Sequence, residues 1–247
     1  MAGYGDFAYY YDELIEVVDY DSLCDYVCSL LADNGIGKGI LLDVACGTGT
    51  LSLALSGRGY EVIGVDASEE MLSEAQNKMY EQGRNVLFLC QDMRELDLYG
   101  TVDACVCTLD GINHLLSEAD VQKTLYRISL FMNKGGVFVF DVNTVHKHLN
   151  ILADNTFVYD LDDIYCVWMN TLDEETLTVE MTLDIFERDD DAYYRISESF
   201  SERAYEEATL TRMLERAGFE VVNVLDWLTK DTVHSESEKA VFVCVKK

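Results

Sequence analysis

Apolar positions along this chain come in short continuous runs, and stretches of helical character separate them. Between residues 39 and 142 the runs "GILLDVA", "YEVIGVDAS", "NVLFLCQD", "VDACVCTL" and "GVFVFDVN" read as five strands, too apolar to have a wet face. Between them, "TLSLALSGRG", "EEMLSEAQNKMYEQG" and "EADVQKTLYRISLFMNKGG" read as helices, the first and last closed by glycine. A helical region, roughly residues 6–33, precedes the first strand. Strands alternating with helices predict a parallel sheet covered on both faces. Right-handed crossovers then place any ligand at the carboxyl ends of the strands.

The pattern changes after Asn143. Residues 154–203 hold fifteen acids and three Lys or Arg, and segments such as "IYCVWMNTL", "TLTVEMTLDIFER" and "AYYRISESFSERAY" alternate apolar with polar. With connectors "DEE" and "DDD", they predict an antiparallel meander with one wet face. A helix, "EEATLTRMLERAGF", and two strands, "EVVNVLDW" and "KAVFVCVK", follow. The expectation is an α/β fold: a Rossmann-like, doubly wound, seven-stranded and mostly parallel sheet with an antiparallel β-rich cap inserted. Residues 1–247 make one domain, with an N-terminal helical lid over about 1–35 and the cap over about 145–204.

Composition narrows the function classes. The 247 residues carry 46 acids against 18 bases, a net charge of −28, so a phosphate backbone would be repelled, and no basic stripe offsets this. Nucleic acid and membrane are not expected as partners. No apolar run reaches the roughly 18–20 residues of a membrane-spanning helix. The first twenty residues hold five acids and no Lys or Arg, the reverse of a signal peptide, and a cytoplasmic location is expected. Eight cysteines without paired C-x-x-C elements read as small buried hydrophobes, and no metal is expected; "HKH" at 146–148 is too isolated to make a metal site. Proline is absent, so glycine and charge must mark the boundaries.

The chemistry concentrates in "LLDVACGTGT", residues 41–50. Gly47 and Gly49 stand between a strand and a helix, where a ligand can approach the backbone and free N–H groups await a negative group. The dinucleotide pattern G-x-G-x-x-G is broken, since Leu51 and Ser52 fall where its last glycine belongs, and no Lys-Ser/Thr pair makes a P-loop. Asp66 ends the second strand 17 residues after Gly49, where an acid can accept from ribose hydroxyls, and Asp92 follows the third strand. Each acid alone could be a cap or turn residue. Together Asp43, Asp66 and Asp92 predict a binding rim.

The motifs "LLDVACGTG", "VIGVDASEEML", "CQDM" and "GGVFVFDVN", in that order, resemble the class I S-adenosylmethionine-dependent methyltransferases. More narrowly, "YGDFAYYYDELI", "LDGINHL" and "SERAYEEATLTRMLERAGFEVV" are similar to a bacterial family of small-molecule methyltransferases akin to the amino-sugar N-methyltransferases, which also carry a β-rich cap. The resemblance implies S-adenosylmethionine as cofactor and S-adenosylhomocysteine as product, with a small-molecule methyl acceptor and a monomer or homodimer. Ala45, Cys46, Gly47 and Gly49 would run beside the methionine part, with Asp43 near its amino group. Asp66, beside Ala67, would hold the ribose, and Met71 would pack on the adenine or simply in the core. Gln91, Asp92 and Met93 would flank the adenine, Thr108 would lie below the sulfonium, and Tyr11 would close over the cofactor.

On the acceptor side, Asp110 and His114 are the catalytic candidates, because an unperturbed histidine titrates near neutral pH and can take a proton. A capping or core histidine is the other reading. Tyr4, Asn113, Asp141 and Asn143 are the candidate substrate contacts, or else lid packing and turn closure. The alternatives are a non-catalytic module that binds the cofactor and an NAD-type oxidoreductase. The cap's acidity suits a cationic acceptor, or equally a solvated outer face.

Overall fold

The computed structural model describes residues 7–14, 18–190 and 192–247. The N-terminal helical region is two helices, α1 (Phe7–Leu14) and α2 (Tyr20–Asp33), the second N-capped by Asp19, whose Oδ1 accepts from Ser22 N at 3.1 Å. There follow β1 (Ile40–Val44), α3 (Thr50–Gly57), β2 (Glu61–Asp66), α4 (Glu69–Gln82), β3 (Leu87–Cys90), β4 (Val102–Cys107), α5 (Glu118–Leu130) and β5 (Met132–Asn143). Strands β6 (Thr156–Asp160), β7 (Ile164–Asp173), β8 (Thr178–Asp189) and β9 (Ala192–Arg203) come next. The helix Glu207–Arg216 then leads to β10 (Phe219–Asp226) and β11 (Lys239–Lys246).

The main sheet has the order β3-β2-β1-β4-β5-β11-β10, parallel except for β11, which runs antiparallel to both its neighbours. The apolar runs are long because both faces are covered. Leu42, Val44, Cys105, Cys107, Phe138 and Phe140 belong to the core that α5 and the helix Glu207–Arg216 cover. Leu41, Ala104, Val106, Val137 and Val139 alternate with them and belong to the core of α2 and α3. All eight cysteines are free thiols. Among the described residues, no helix is long and apolar enough to cross a membrane.

One element differs from the pattern-based reading. The helix expected to run through "FMNKGG" stops at Leu130, where the Phe131 N–H bonds Ile128 O, and β5 already starts at Met132. Met132 pairs with Val102 of β4 and the register then shifts before Val137 meets Ala104. Ladder pairing against β4 outweighs the local helical appearance, a tertiary effect that periodicity does not carry.

Strands β6–β9 form a separate antiparallel sheet. Its inner face, with Cys166, Val179, Met181, Leu183 and Ile185, packs with Phe7, Ala8 and Leu14 of α1 and with Met71 of α4. The cap therefore shares one apolar cluster with α1 and with the edge of the main domain. Most of its acids lie outside that cluster: Asp160, Asp163, Glu175, Glu180 and Asp189 are exposed, and the buried Asp184 is paired with Arg195 at 2.7 Å. Solvation is sufficient to account for most of the acidity of this segment.

Candidate active site

The topology reverses between β1 and β4, the neighbours from which the order runs outward in two directions. A crevice opens there at the carboxyl ends of the strands. After β1 the chain turns through Ala45 (φ 55°), Gly47 (φ 52°) and Gly49 (φ 73°), and after β4 through Leu109 (φ 55°) and Asp110 (φ 60°). Left-handed backbone at non-glycine residues costs of order 1–2 kcal/mol each, and such strain gathers at functional sites. Two contacts show how tightly the loops meet. A Cβ on Gly111 would fall 2.8 Å from Cys107 Sγ and 3.0 Å from Ala45 Cβ. One on Gly47 would meet nothing nearer than Met71 Sδ at 4.0 Å, so Gly47 leaves room on the cleft side.

The cleft has two lobes. The smaller, about 70 Å³, is lined by Tyr11, Tyr20, Asp43, Ala45, Cys46, Gly47, Thr48, Thr50, Asp66, Met71, Thr108 and Leu109 among others. The larger, about 560 Å³, runs past Asp66, Ala67, Ser68, Gln91, Asp92 and Met93 to Leu116 and to Ser199, Phe200 and Ser201 of β9. Ala45, Asp66 and His114 belong to both walls. Asp66 is the hinge between them: Oδ2 accepts from Gly47 N at 2.8 Å and Oδ1 from Ser68 N at 2.9 Å. Burial raises its carboxyl above the usual range, while the Ser68 and Gly47 N–H bonds pull the other way.

Asp43 is buried, accepts from Ser52 Oγ at 2.5 Å, and is pushed up to about 7 by burial, with Asp66 adding to the rise. Asp92 faces the larger lobe already engaged by Arg94, whose Nη2 lies 2.5 Å from Oδ2; that pairing holds the carboxyl below its ordinary value. Gln91 uses both ends of its carboxamide on the Asp97 backbone. Gly49 is the N-cap of α3 and lies outside both walls; a Cβ there would meet Ala75 and Phe88 at 2.8 Å, so close packing of α3 on α4 and β3 demands this glycine. Tyr11 is held above its ordinary value by burial. Thr48 Oγ1 donates to Asp12 Oδ1 at 2.7 Å, and Tyr10 Oη to Glu187 Oε2 at 2.6 Å, which fastens α1 to the β1 loop and to the cap. Tyr4 lies outside the described residues.

The residues expected to meet an acceptor divide. His114 faces the cleft. Asn113, Asp141 and Asn143 are buried and committed to protein groups. Asn113 Nδ2 donates to Asn143 O and Arg203 O, and its Oδ1 accepts from Asn143 N. Asp141 accepts from Leu109 N at 2.7 Å and Asp110 N at 3.1 Å, which holds the left-handed turn after β4. Lys239 Nζ donates to Asp110 Oδ1 and Asp141 Oδ2, each at 2.8 Å. Burial would raise the Asp110 carboxyl, but Lys239 and Lys147 outweigh it and hold it well below the carboxylate range. Burial likewise opposes the Lys239 charge, and Asp110 with Asp141 reverses that effect.

Pattern reading missed Lys239, Lys147 and Glu202. Glu202 is buried near the end of β9, accepts from Asn143 Nδ2 at 2.8 Å, and is pushed up to about 8 by burial and by Asp110. Its sequence signal is one acid in a wet-looking strand, and only the tertiary fold removes it from water. Among the described residues, no group of three or more His, Cys, Asp or Glu is arranged to hold a metal ion.

These titrations give a pH dependence. Asp43 and Glu202 have folded values of about 7 and about 8, above the ordinary carboxyl range. The folded state therefore binds more protons than the unfolded chain, and stability falls as pH rises through those values. His114 and His148 are lowered by burial, so they oppose this trend until the unfolded histidines have lost their protons, about one pH unit above 6.5. Between pH 6.5 and 8.5 the ligand-free protein should lose about 4 °C of thermal midpoint. In Glu202→Gln the loss should be less than half of that. A midpoint that rises across this window would refute both assignments.

A Rossmann-like sheet of this strand order, with a two-lobed cleft at its switch point, defines an α/β protein that binds a nucleoside-containing cofactor. Comparison with known proteins specifies which. Residues 41–136 match the family described as Methyltransferase domain. The chain is 34% identical to YqeM of Bacillus subtilis (strain 168), named as a methyltransferase, over 98% of this chain and 97% of that one. The crystal structure of an S-adenosylmethionine-dependent methyltransferase from Clostridium acetobutylicum ATCC 824 matches with TM-score 0.89 and 32% identity over 98% of both chains. CalS10 from Micromonospora echinaspora, an amino pentose methyltransferase solved with S-adenosylmethionine, shares the fold at TM-score 0.75 and 20% identity over 93% and 92% of the chains. The chain belongs to the S-adenosylmethionine-dependent methyltransferases, and S-adenosylmethionine is its cofactor. The oxidoreductase and non-catalytic alternatives have no support.

Proposed function

We propose that the enzyme methylates an N–H or O–H group of a small molecule by direct displacement inside the capped cleft. The observation that carries this reading is the continuity of the two lobes through Ala45, Asp66 and His114 under the β9 residues Ser199–Ser201. Such a cleft lies in the size range of small-molecule sites. When bound, the cofactor supplies an electrophilic methyl group on a sulfonium.

The residues fit this use. Gly47, which leaves room beside the backbone, and Thr48 and Thr50, which line the smaller lobe, suit the amino-acid end, with the acid Asp43 beneath. Asp66 has acceptor capacity left for ribose hydroxyls beyond its two backbone bonds. Ala67, Met93 and Asp92 offer a partly apolar slot with one ionised acceptor for the adenine. Met71, buried between the loop and the cap, lines the smaller lobe. His114 stands at the junction, where an acceptor would approach, and burial keeps it neutral and able to take a proton. Asp110, Asn113, Asp141 and Asn143 act in this reading as the frame that holds the turn before His114, not as acceptor contacts.

Alignment and exclusion of water are the main contributions such a site makes, since the leaving group is already activated. Titration calorimetry tests the assignment. S-adenosylhomocysteine should bind at one site, and NAD and ATP should not. A panel of small amines and alcohols, assayed for S-adenosylhomocysteine formation, then identifies the acceptor class. Methylation of proteins or nucleic acid in place of every small molecule tried would overturn the acceptor assignment.

A further inference from the structure

We infer, on the methyl-transfer reading above, that the acceptor is a peptide-like amine held by the open backbone edge of β9. Such a molecule carries a free amino group followed by an extended amide.

Strand β9 is an outer strand of the cap sheet, paired with β8 on one side only. The ladder fixes which of its main-chain groups point outward. Ala204 N donates to Leu177 O at 3.0 Å, and these two residues continue the register that sets Glu202 against Val179 and Phe200 against Met181. Bonded and unbonded pairs alternate along an antiparallel ladder. The even-numbered residues of β9 therefore spend their N–H and C=O groups on β8, and Ser199, Ser201 and Arg203 turn theirs outward. Arg203 agrees with this phase, since its C=O accepts from Asn113 Nδ2 at 2.9 Å, across the outward edge.

That edge borders the larger lobe, whose wall includes the consecutive residues Ser199, Phe200 and Ser201. The Ser199 hydroxyl lies 3.2 Å from Thr182 Oγ1, on the face of the sheet opposite the Phe200 ring, and Ser201 shares that face. At the edge itself the two serines offer main chain. Among the described residues, no protein group bonds their outward N–H and C=O. They stand about 6.6 Å apart at 3.3 Å per residue, the repeat of an extended peptide. An open edge of this kind is a template for another extended backbone. One ligand residue beside Ser201 would accept from its N–H and donate to its C=O, a fixed pair that a sugar or a simple amine lacks.

Charge and position narrow the class. Among the described residues, no Lys or Arg lines either lobe, whereas Asp43, Asp66 and Asp92 do. A free carboxylate or phosphate on the acceptor would go uncompensated there, so an amine at one end and an uncharged carboxamide at the other suit the cleft. The Phe200 ring lies 5.7 Å from the ring of His114, which belongs to both lobes. An amide beside Ser201 therefore directs the amino group next to it toward the junction. The amine reacts in its neutral form: its lone pair becomes the nitrogen–carbon bond, the carbon–sulfur pair stays on sulfur, and the product is the N-methylammonium.

The test compares glycylphenylalaninamide, its analogue with an ester oxygen in place of the internal N–H, 2-phenylethylamine and glucosamine, each assayed for S-adenosylhomocysteine formation. The dipeptide amide should be methylated with kcat/KM about tenfold above the ester, the order of one hydrogen bond. Ser201→Pro deletes an outward N–H and leaves the ladder to β8 intact, at a position where an edge strand accepts proline. It should lower kcat/KM for the dipeptide amide about tenfold and keep S-adenosylhomocysteine affinity within about twofold. Tyr193→Pro, on the same edge and outside the lobe, should leave both unchanged. Hydrogen exchange on the wild type needs no variant. The Ser201 amide should exchange fast and the Glu202 amide slowly, and Ser201 should become protected when the dipeptide amide and S-adenosylhomocysteine are bound. No turnover of the dipeptide amide, equal turnover of the ester, an unaffected Ser201→Pro protein, or a Ser201 amide already protected in the free protein overturns the inference. Methylation of glucosamine or 2-phenylethylamine in place of the dipeptide amide also removes it, and leaves the small-molecule reading standing. Failure of S-adenosylhomocysteine to bind counts instead against the cofactor assignment.

Discussion

Asp66→Ala should weaken S-adenosylhomocysteine binding by about 100-fold while the protein stays folded. Hydrogen bonds to a charged group contribute roughly 1.5–3 kcal/mol each, and two ribose bonds at the lower end of that range, at 1.4 kcal/mol per tenfold, give that factor. Asp66 also holds Gly47 N and Ser68 N, so its loss loosens the loop that shapes the smaller lobe. Asp66→Asn separates the contributions. Its carboxamide oxygen can serve one side of the junction and its NH₂ cannot serve the other, so an intermediate affinity is expected. Calorimetry gives the affinities, and circular dichroism with a thermal melt establishes that both variants are folded. Affinity within threefold of the wild type for Asp66→Ala would remove Asp66 from the cofactor site.

Lys239→Met should destabilise the protein by about 3–5 kcal/mol, because it leaves two buried carboxylates without their cation. Lys239 Nζ is the shared donor to Asp110 and Asp141, and Asp141 in turn holds the N–H groups of the left-handed Leu109 and Asp110. The charge loss and the release of a strained turn act in the same direction. Adding Asp110→Asn removes one of the orphaned charges. The double variant should therefore be more stable than the sum of the single effects by about 1 kcal/mol or more. Urea unfolding measures all three. A single-variant loss below about 1 kcal/mol would mean that the pair is solvated in solution.

The two effects differ in how visible their causes are along the chain. Asp66 ends an apolar run, and that position alone marks it as a rim residue, because a parallel strand delivers its last residue to the ligand side. The same holds for the Ala45–Gly49 turn. Lys239 begins the last strand, 98 residues from Asp141 and 129 from Asp110, and no local pattern links them. They meet because β11 pairs antiparallel with β5, bringing Lys239 opposite Asn143. Asp141 and Asn143 show the converse. Their position at a strand end suggests a ligand, yet their side chains are spent on protein groups, and only the contacts reveal it. Asp43 likewise lies near the end of its strand, and nothing local to that strand shows that it is buried and bonded to Ser52.

By itself, then, the sequence determined the order of elements, the parallel sheet, the acids at its strand ends and the presence of an antiparallel segment after Asn143. These follow from period, glycine placement and strand-end chemistry, all local and readable within about ten residues. The tertiary structure alone decided the strand order, the insertion of β11, the sharing of Met71 and α1 with the cap, and the meeting of Asp110, Lys239, Asn143, Glu202 and His114. The physical reason is that burial and pairing are properties of distant segments brought together. An acid in a polar strand and a lysine at a strand start carry no mark of the low-dielectric site that gives them their chemistry.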